Sequence, residues 1–194
     1  PLPIATRGRS AARVPSHRVM PETGRRLHAW QAVTPRGPVI AVAGSSSPTP
    51  HQFEAAKAVG LLLAERNAVV LCGGLGGVMD AVASGVAARD GVCIGLLPGF
   101  DAADAVAQVS VALATGLGEA RNVVLARACQ AMIAVGGGFG TLSEIALAIR
   151  MGRHVALIDS WEFSEATTPV PSTVRRCTDA DEAVAWVLDS ASSR

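Results

Sequence analysis

The strongest candidates for a functional site in this chain are Arg121, Glu144 and the glycine-rich segment that precedes Glu144. Residues 136–144 read Gly-Gly-Gly-Phe-Gly-Thr-Leu-Ser-Glu and directly follow the apolar run 131–135. This order predicts a buried strand that passes through a glycine turn into a helix, where unpaired N–H groups and the positive end of the helix dipole favour an anion. The segment is therefore a candidate phosphate site, with backbone donors from Gly136, Gly137, Gly138, Gly140 and Thr141.

Glu144 has two interpretations from its position alone. It could face the sugar of a ligand, where it would act as a general acid or base or stabilise an oxocarbenium-like centre. Alternatively, Thr141 and Glu144 have the T-x-x-E spacing of a capping box, in which the Thr caps a helix and the Glu reaches back to its start. The spacing alone does not decide between the chemical role and the capping role.

Arg121 lies in the run Gly-Glu-Ala-Arg-Asn at 118–122, near the start of a predicted helix over about 120–130. A cation is mildly disfavoured at this end of a helix, so either Glu119 compensates Arg121 or an anion is expected nearby. The alternative is an ordinary solvated arginine on the protein surface. The first interpretation places Arg121 beside a bound anion, and the second gives it no functional role.

Two further turns follow predicted strands. Gly44, Ser45 and Ser46 come after the first strand, where the two hydroxyls could donate to a phosphate or merely form a turn. The second turn reads Gly-Gly-Leu-Gly-Gly at 73–77 and either provides a second backbone wall for a ligand or allows close packing of a helix on a strand. The glycines in question are Gly73, Gly74, Gly76 and Gly77.

Apolar runs alternate with segments of helical spacing from residue 38 onwards. The predicted strands lie near 39–43, 68–72, 92–97, 109–114, 131–135 and 154–158. The predicted helices cover about 50–66, 77–88, 120–130, 141–151 and 179–188, and 160–173 is expected to be a surface loop. This alternation predicts an α/β fold: a doubly wound, mainly parallel sheet of six to seven strands with helices on both faces. Because ligands in such sheets bind at the carboxyl ends of the strands, all the glycine turns should meet at one edge.

Composition and missing motifs exclude several classes of function. The 194 residues are 49% hydrophobic, yet no apolar run reaches the roughly 18 residues of a membrane span. The first glycine turn does not fit G-x-G-x-x-G, which disfavours NAD, and no Walker A motif occurs. The four histidines lack metal-ligand spacing, so we expect no metal. Scattered cysteines in apolar stretches indicate buried, reduced thiols of a cytoplasmic protein, namely Cys72, Cys93 and Cys129.

Charge is unevenly divided along the chain. The net charge is +1, but residues 1–38 carry seven Arg and one Glu, which leaves the remainder acidic. We therefore expect no nucleic-acid surface on the globular part. Residues 1–37 are interpreted as a disordered or extended Arg- and Pro-rich arm. Their composition resembles that of an organelle transit peptide, and an over-extended start of the sequence is the alternative. Residues 38–194 should form a single domain.

Three motifs together resemble a known superfamily. They are Gly-Gly-x-Gly-Gly-Val-Met at 73–79, Gly-Glu-Ala-Arg-Asn at 118–122 and the segment at 136–144, in this order. They are similar to the lysine-decarboxylase-like superfamily, which includes the LONELY GUY phosphoribohydrolases that activate cytokinins and the molybdenum cofactor carrier proteins. The resemblance spans about residues 39–160. It implies a Rossmann-like fold, a homo-oligomer (dimer or tetramer) and a phosphate-bearing small molecule as ligand, and it does not imply PLP or amino-acid decarboxylation.

The resemblance also implies roles for individual residues. The phosphoribohydrolases use an Arg and a Glu 23 residues apart as their catalytic pair, and Arg121 and Glu144 have the same separation. Their pattern, P-G-G-x-G-T-x-x-E preceded by E-R-K, is altered here at Gly136, Ala120 and Asn122, which looks more like the carrier branch. We therefore expect a binding protein for the molybdenum cofactor or a nucleotide monophosphate. The alternative is a nucleoside 5′-monophosphate phosphoribohydrolase.

Overall fold

The computed structural model describes residues 37–164 and 169–192. Seven parallel strands form one sheet in the order β4-β3-β2-β1-β5-β6-β7. The strands are β1 Val39–Gly44, β2 Val69–Cys72, β3 Val92–Leu97, β4 Val111–Ala114, β5 Ala131–Val135, β6 His154–Ile158 and β7 Val174–Arg176. The helices are α1 Pro50–Glu65, α2 Val78–Ala87, α3 Arg121–Ala128, α4 Phe139–Arg150 and α5 Ala180–Ser192. This confirms the predicted fold class.

Alternating side chains of the central strands build a core on each face of the sheet. Ile40 and Val42 of β1 lie in the cluster beneath α1, α2 and α5. Ala41 and Ala43 of the same strand lie in the cluster beneath α3 and α4. A strand buried on both faces needs apolar residues at every position, which is why these strands read as continuous apolar runs.

The chain reverses direction across the sheet between β1 and β5. It moves outward from β1 through β2 and β3 to β4, then returns to β5 on the other side of β1. The helices that follow these two neighbouring strands pack on opposite faces, α1 on one and α4 on the other. Such a reversal leaves a crevice at the carboxyl ends of the two strands, where ligands of doubly wound sheets bind.

The structure differs from the sequence prediction at a few element boundaries. β7 follows the predicted surface loop and was not predicted, because its Val-Arg-Arg sequence is too short and polar to form an apolar run. Helix α4 begins at Phe139 rather than near 141. The predicted arm lies outside the described residues except for Gly37, so the division into arm and domain stays a prediction. None of the helices in 37–164 and 169–192 is long and apolar enough to cross a membrane.

Candidate functional site

A cavity of about 290 Å³ opens at the carboxyl ends of β1 and β5. Its walls come from the end of β1, the first turn of α2, the start of α3 and the first two turns of α4. The residues that line it are Gly44, Ser46, Met79, Glu119, Arg121, Asn122, Gly138, Phe139, Gly140, Thr141 and Glu144. The structure therefore brings together Arg121, Glu144 and part of the glycine turn, as expected for a crevice at this reversal.

The first turn of α4 presents its backbone to this cavity. Gly138 occupies the N-cap position and no side chain caps the helix, so the first N–H groups lack the partner that a capping residue would supply. A Cβ atom added at Gly138 or Gly140 would meet no atom within 4 Å. The helix start is thus open to a ligand, and its N–H groups and dipole suit an anion.

Backbone conformation explains the two glycines before this helix. Gly136 and Gly137 have φ angles of 58° and 129°, which side chains rarely allow. A Cβ atom at Gly137 would also lie 2.6 Å from Cβ of Thr141. The turn therefore depends on glycine to lead from the buried strand into α4.

The capping-box interpretation of Thr141 and Glu144 is wrong. Because α4 begins at Phe139 with Gly138 as its N-cap, Thr141 lies inside the first turn rather than before it. Glu144 instead points toward α3, where its Oε1 accepts a hydrogen bond from Nη1 of Arg121 at 2.7 Å. The extended backbone of Gly138 places the N-cap three residues before Thr141, the N-cap that the side-chain pattern predicts.

Arg121 and Glu144 form a buried ion pair at the wall of the cavity. Their side chains are 11% and 8% exposed, so the interpretation of Arg121 as a solvated surface residue is also wrong. The negative charge expected near Arg121 is supplied by Glu144, and Glu119 lines the same cavity. Burial raises the pKa of the Glu144 carboxyl above its ordinary value, although Arg121 acts in the opposite direction. Burial thus makes this carboxyl group easier to protonate than an exposed glutamate.

The backbone of Gly73 lies close to the Arg121 side chain of this ion pair. A Cβ atom there would lie 2.5 Å from Nη2 of Arg121 and 2.6 Å from the sulfur of Met79. The absence of a side chain at Gly73 therefore lets the guanidinium group come close to the end of β2. Of the predicted second backbone wall, Gly73 approaches Arg121 and Gly77 approaches Ser46, and both of these partners line the cavity.

The other glycines of that turn have different surroundings. Gly74 packs against the Cα of Gly95 on the neighbouring strand. Gly77 caps α2, and a Cβ there would meet the backbone of Ser45 and Ser46. A Cβ at Gly76 would meet nothing within 4 Å. Gly74 and Gly77 thus fit the alternative of close packing, and none of these three lines the cavity described above.

A second cavity of about 340 Å³ lies on the other side of the glycine turn. It is lined by Ser45, Gln52, Gly136, Gly137, Asp159, Ser160 and Trp161. Three of these residues, Ser45, Gly136 and Gly137, belong to the predicted site, whereas the segment after β6 was missed. The sequence signal for this segment was that it directly follows a predicted strand of a parallel sheet. The carboxyl ends of such strands lie at one edge of the sheet, where ligands bind.

The segment after β6 holds the glycine turn in place. The Ser160 hydroxyl donates to the carbonyl oxygen of Gly136 at 2.6 Å, and Nε1 of Trp161 donates to the carbonyl oxygen of Gly138 at 3.2 Å. The Trp161 ring lies 5.8 Å from the ring of Phe139, which is 83% exposed. An exposed aromatic ring at the rim of a polar cavity offers a flat apolar surface to a ligand.

The cysteines that were predicted to be buried are buried in the structure. Cys72, Cys93 and Cys129 are buried, and none of the three forms a disulfide bond. Within the described residues, no group of three or more His, Cys, Asp or Glu side chains is arranged to hold a metal ion.

Comparison with known proteins decides the family. The model of the SLOG cluster4 family matches residues 37–184, which include the whole sheet and the glycine turns. The chain belongs to the SLOG cluster4 family. A family relative from Archaeoglobus fulgidus, an uncharacterized protein, is 41% identical over 118 residues, 60% of this chain and 77% of its own length.

Two solved structures show the same fold as this SLOG cluster4 chain. The molybdenum cofactor carrier protein of Chlamydomonas reinhardtii is 31% identical with a TM-score of 0.74, covering 82% of this chain and 100% of its own. The molybdenum cofactor binding protein of Rippkaea orientalis is 30% identical with a TM-score of 0.73, covering 79% and 97%. The resemblance to the lysine-decarboxylase-like superfamily is thereby confirmed.

Proposed function

We propose that this chain binds a phosphate-bearing, nucleotide-type ligand, with the phosphate at the start of α4. The observation that carries the proposal is the uncapped first turn of this helix, where two glycines leave the backbone open to the cavity. Structural similarity to proteins that bind and carry the molybdenum cofactor makes that cofactor one candidate, and a nucleoside monophosphate is the other.

The charges and shape of the cavity support this proposal. Arg121 provides a guanidinium group at the cavity wall, and its ion pair with Glu144 offsets the negative charge that a phosphate would meet there. The exposed ring of Phe139 at the same rim suits a ligand with a flat ring better than a bare oxyanion. A volume of about 290 Å³ is small for a ligand site, so the ligand would extend beyond this cavity.

Gly140→Ala tests the proposed phosphate site. The added methyl group projects into open space, so the fold should be retained or slightly stabilised by the better helix former. In the cavity the same methyl group would keep a phosphate away from the backbone N–H groups. We expect the affinity for AMP and GMP, measured by calorimetry, to fall about 10-fold, the loss of roughly one hydrogen bond to a charged group.

Gly76→Ala is the matched control, since its methyl group also meets open space but does not line this cavity. It should leave both nucleotide affinities unchanged. Equal affinities for wild type and Gly140→Ala would place the phosphate elsewhere and reject the proposed site.

A second candidate function is hydrolysis of the N-glycosidic bond of a nucleoside 5′-monophosphate. The buried Arg121–Glu144 pair favours it, because a carboxyl group with a raised pKa can donate a proton to a departing base. We expect wild-type protein, as a binding protein, to release no adenine or guanine from AMP or GMP in a chromatographic assay. Base release that Glu144→Gln abolishes without loss of nucleotide binding would instead establish the hydrolase.

Assembly and cellular location stay predictions. Val123 and Val124 of α3 are half-exposed and would suit a contact with a second copy in a dimer or tetramer. Ile145 of the neighbouring helix α4 is fully buried and belongs to the core, so it is not available for such a contact. A homo-oligomer is therefore proposed on the family resemblance and on these two valines. A cytoplasmic location is proposed on the buried cysteines.

A further inference from the structure

The two cavities are lined by consecutive residues of the same two backbone segments. Gly138 lines the first cavity and Gly137 the second, and Ser46 and Ser45 are divided between them in the same way. Consecutive Cα atoms are only about 3.8 Å apart. The two cavities therefore adjoin at the glycine turn, and a ligand that spans both would cross over this turn.

The second cavity differs from the first in the charge that it presents. Among the described residues that line it, Asp159 is the one with an ionisable side chain. Its Oδ2 accepts a hydrogen bond from Nδ1 of His51 at 2.8 Å, and its carbonyl oxygen is contacted by Nε2 of Gln52 at 3.4 Å. A carboxylate accepts hydrogen bonds and cannot donate them, so this cavity suits a group rich in N–H donors rather than a second phosphate.

The backbone of Asp159 is held in an uncommon conformation. Its φ angle is 45°, in the left-handed region that few residues other than glycine adopt. The contacts from His51 and Gln52, both of α1, tie this turn to the start of the helix after β1. The carboxylate is thereby kept at the edge of the sheet beside the glycine turn.

We propose that Asp159 is the specificity-determining residue that recognises the ring of the ligand through two adjacent N–H donors. A 2-amino-4-oxopyrimidine ring, as in guanine or a pterin, presents an amino group next to a ring N–H and matches the two oxygens of a carboxylate. Adenine offers an amino group beside a ring nitrogen that only accepts. This inference rests on the proposed function, because the phosphate at α4 fixes which end of the ligand reaches Asp159.

The aromatic pair lies where such a ring would cross. Phe139 lines the first cavity, Trp161 lines the second, and their ring centroids are 5.8 Å apart. A planar ring could stack on this aromatic pair while its N–H donors face the carboxylate of Asp159.

The test compares GMP, AMP and ribose 5-phosphate by calorimetry on wild type and Asp159→Asn. Asparagine also tolerates a left-handed backbone, so the turn is retained. We expect wild type to bind GMP about 10-fold more tightly than AMP. Asp159→Asn should remove that preference and leave ribose 5-phosphate unaffected. Glu162→Gln, which changes an exposed carboxylate paired with Arg176, is the control and should alter none of the three affinities.

Other outcomes separate this inference from the proposed function. Equal wild-type affinities for GMP and AMP, or an equal loss of both in Asp159→Asn, would overturn the role of Asp159 while the phosphate site stands. His51→Gln removes the partner of Asp159 without changing the carboxylate. Loss of the GMP preference in His51→Gln, with the preference retained in Asp159→Asn, would also overturn the role of Asp159. Binding of none of the three compounds would remove the proposed function itself, and the inference with it.

Discussion

Replacing Arg121 with alanine should weaken binding of AMP and GMP by about 10- to 150-fold. Arg121 is the basic residue of the cavity wall, and a hydrogen bond to a charged group contributes about 1.5–3 kcal/mol. Its low exposure means that solvent does not screen the interaction as it would on the surface. Calorimetric titration of the nucleotides into wild type and Arg121→Ala measures the difference.

Two further variants separate this effect from loss of folding. Arg89→Ala removes an arginine whose ion pair with Glu65 is half-exposed, and it should leave nucleotide affinity unchanged. The double variant Arg121→Gln, Glu144→Gln replaces the buried charges with neutral amides, which avoids a lone buried carboxylate. It should fold and lose nucleotide affinity to the same extent. Wild-type affinity in Arg121→Ala or in the double variant would remove Arg121 from the binding site.

Replacing Gly44 with alanine should destabilise the fold by about 3 kcal/mol, the upper end of the usual cost of overpacking. The added Cβ would contact the carbonyl oxygen of Val135 and lie 2.5 Å from Cγ1 of Val78. The contact with Val135 is backbone on a buried strand, so it cannot be relieved by rotating a side chain. For a chain of this length the melting temperature should fall by roughly 6–12 °C, measured by differential scanning calorimetry.

Gly76→Ala provides the reference for this stability prediction, because its Cβ meets no neighbour. Its melting temperature should stay within a few degrees of wild type. A Gly44→Ala protein as stable as Gly76→Ala would contradict the close approach of β1, β5 and α2 at the end of the sheet.

The edge strand β4 was predicted because its residues are apolar, although most of them are exposed. The inner strands could be predicted from sequence because burial on both faces requires continuous apolar runs. The run 131–135 and strand β5, Ala131–Val135, coincide for this reason. β7 was missed because this three-residue edge strand carries Arg175 and Arg176, whose exposed side chains give no apolar signal. A polar edge strand such as β7 is recognised by its pairing with β6, which a single sequence does not show.

The candidate site was predictable where it depends on local backbone. The glycine turn at 136–140 and the proximity of Arg121 to Glu144 follow from motif and topology together. The capping-box alternative failed because the backbone of Gly138, rather than the side chain of Thr141, begins α4. Asp159 was not predicted, since only the tertiary placement of β6 beside β5 brings it to the same edge.

The location of a bound phosphate shows directly whether the start of α4 is the anion-binding site. Crystals of the wild-type protein soaked with GMP should show the phosphate oxygens within hydrogen-bond distance, about 2.7–3.2 Å, of the backbone N–H groups in the first turn of α4. Arg121 should lie at the same cavity wall beside the nucleotide. A nucleotide bound with its phosphate away from residues 138–141, or bound outside both cavities, would contradict a phosphate site at the start of α4.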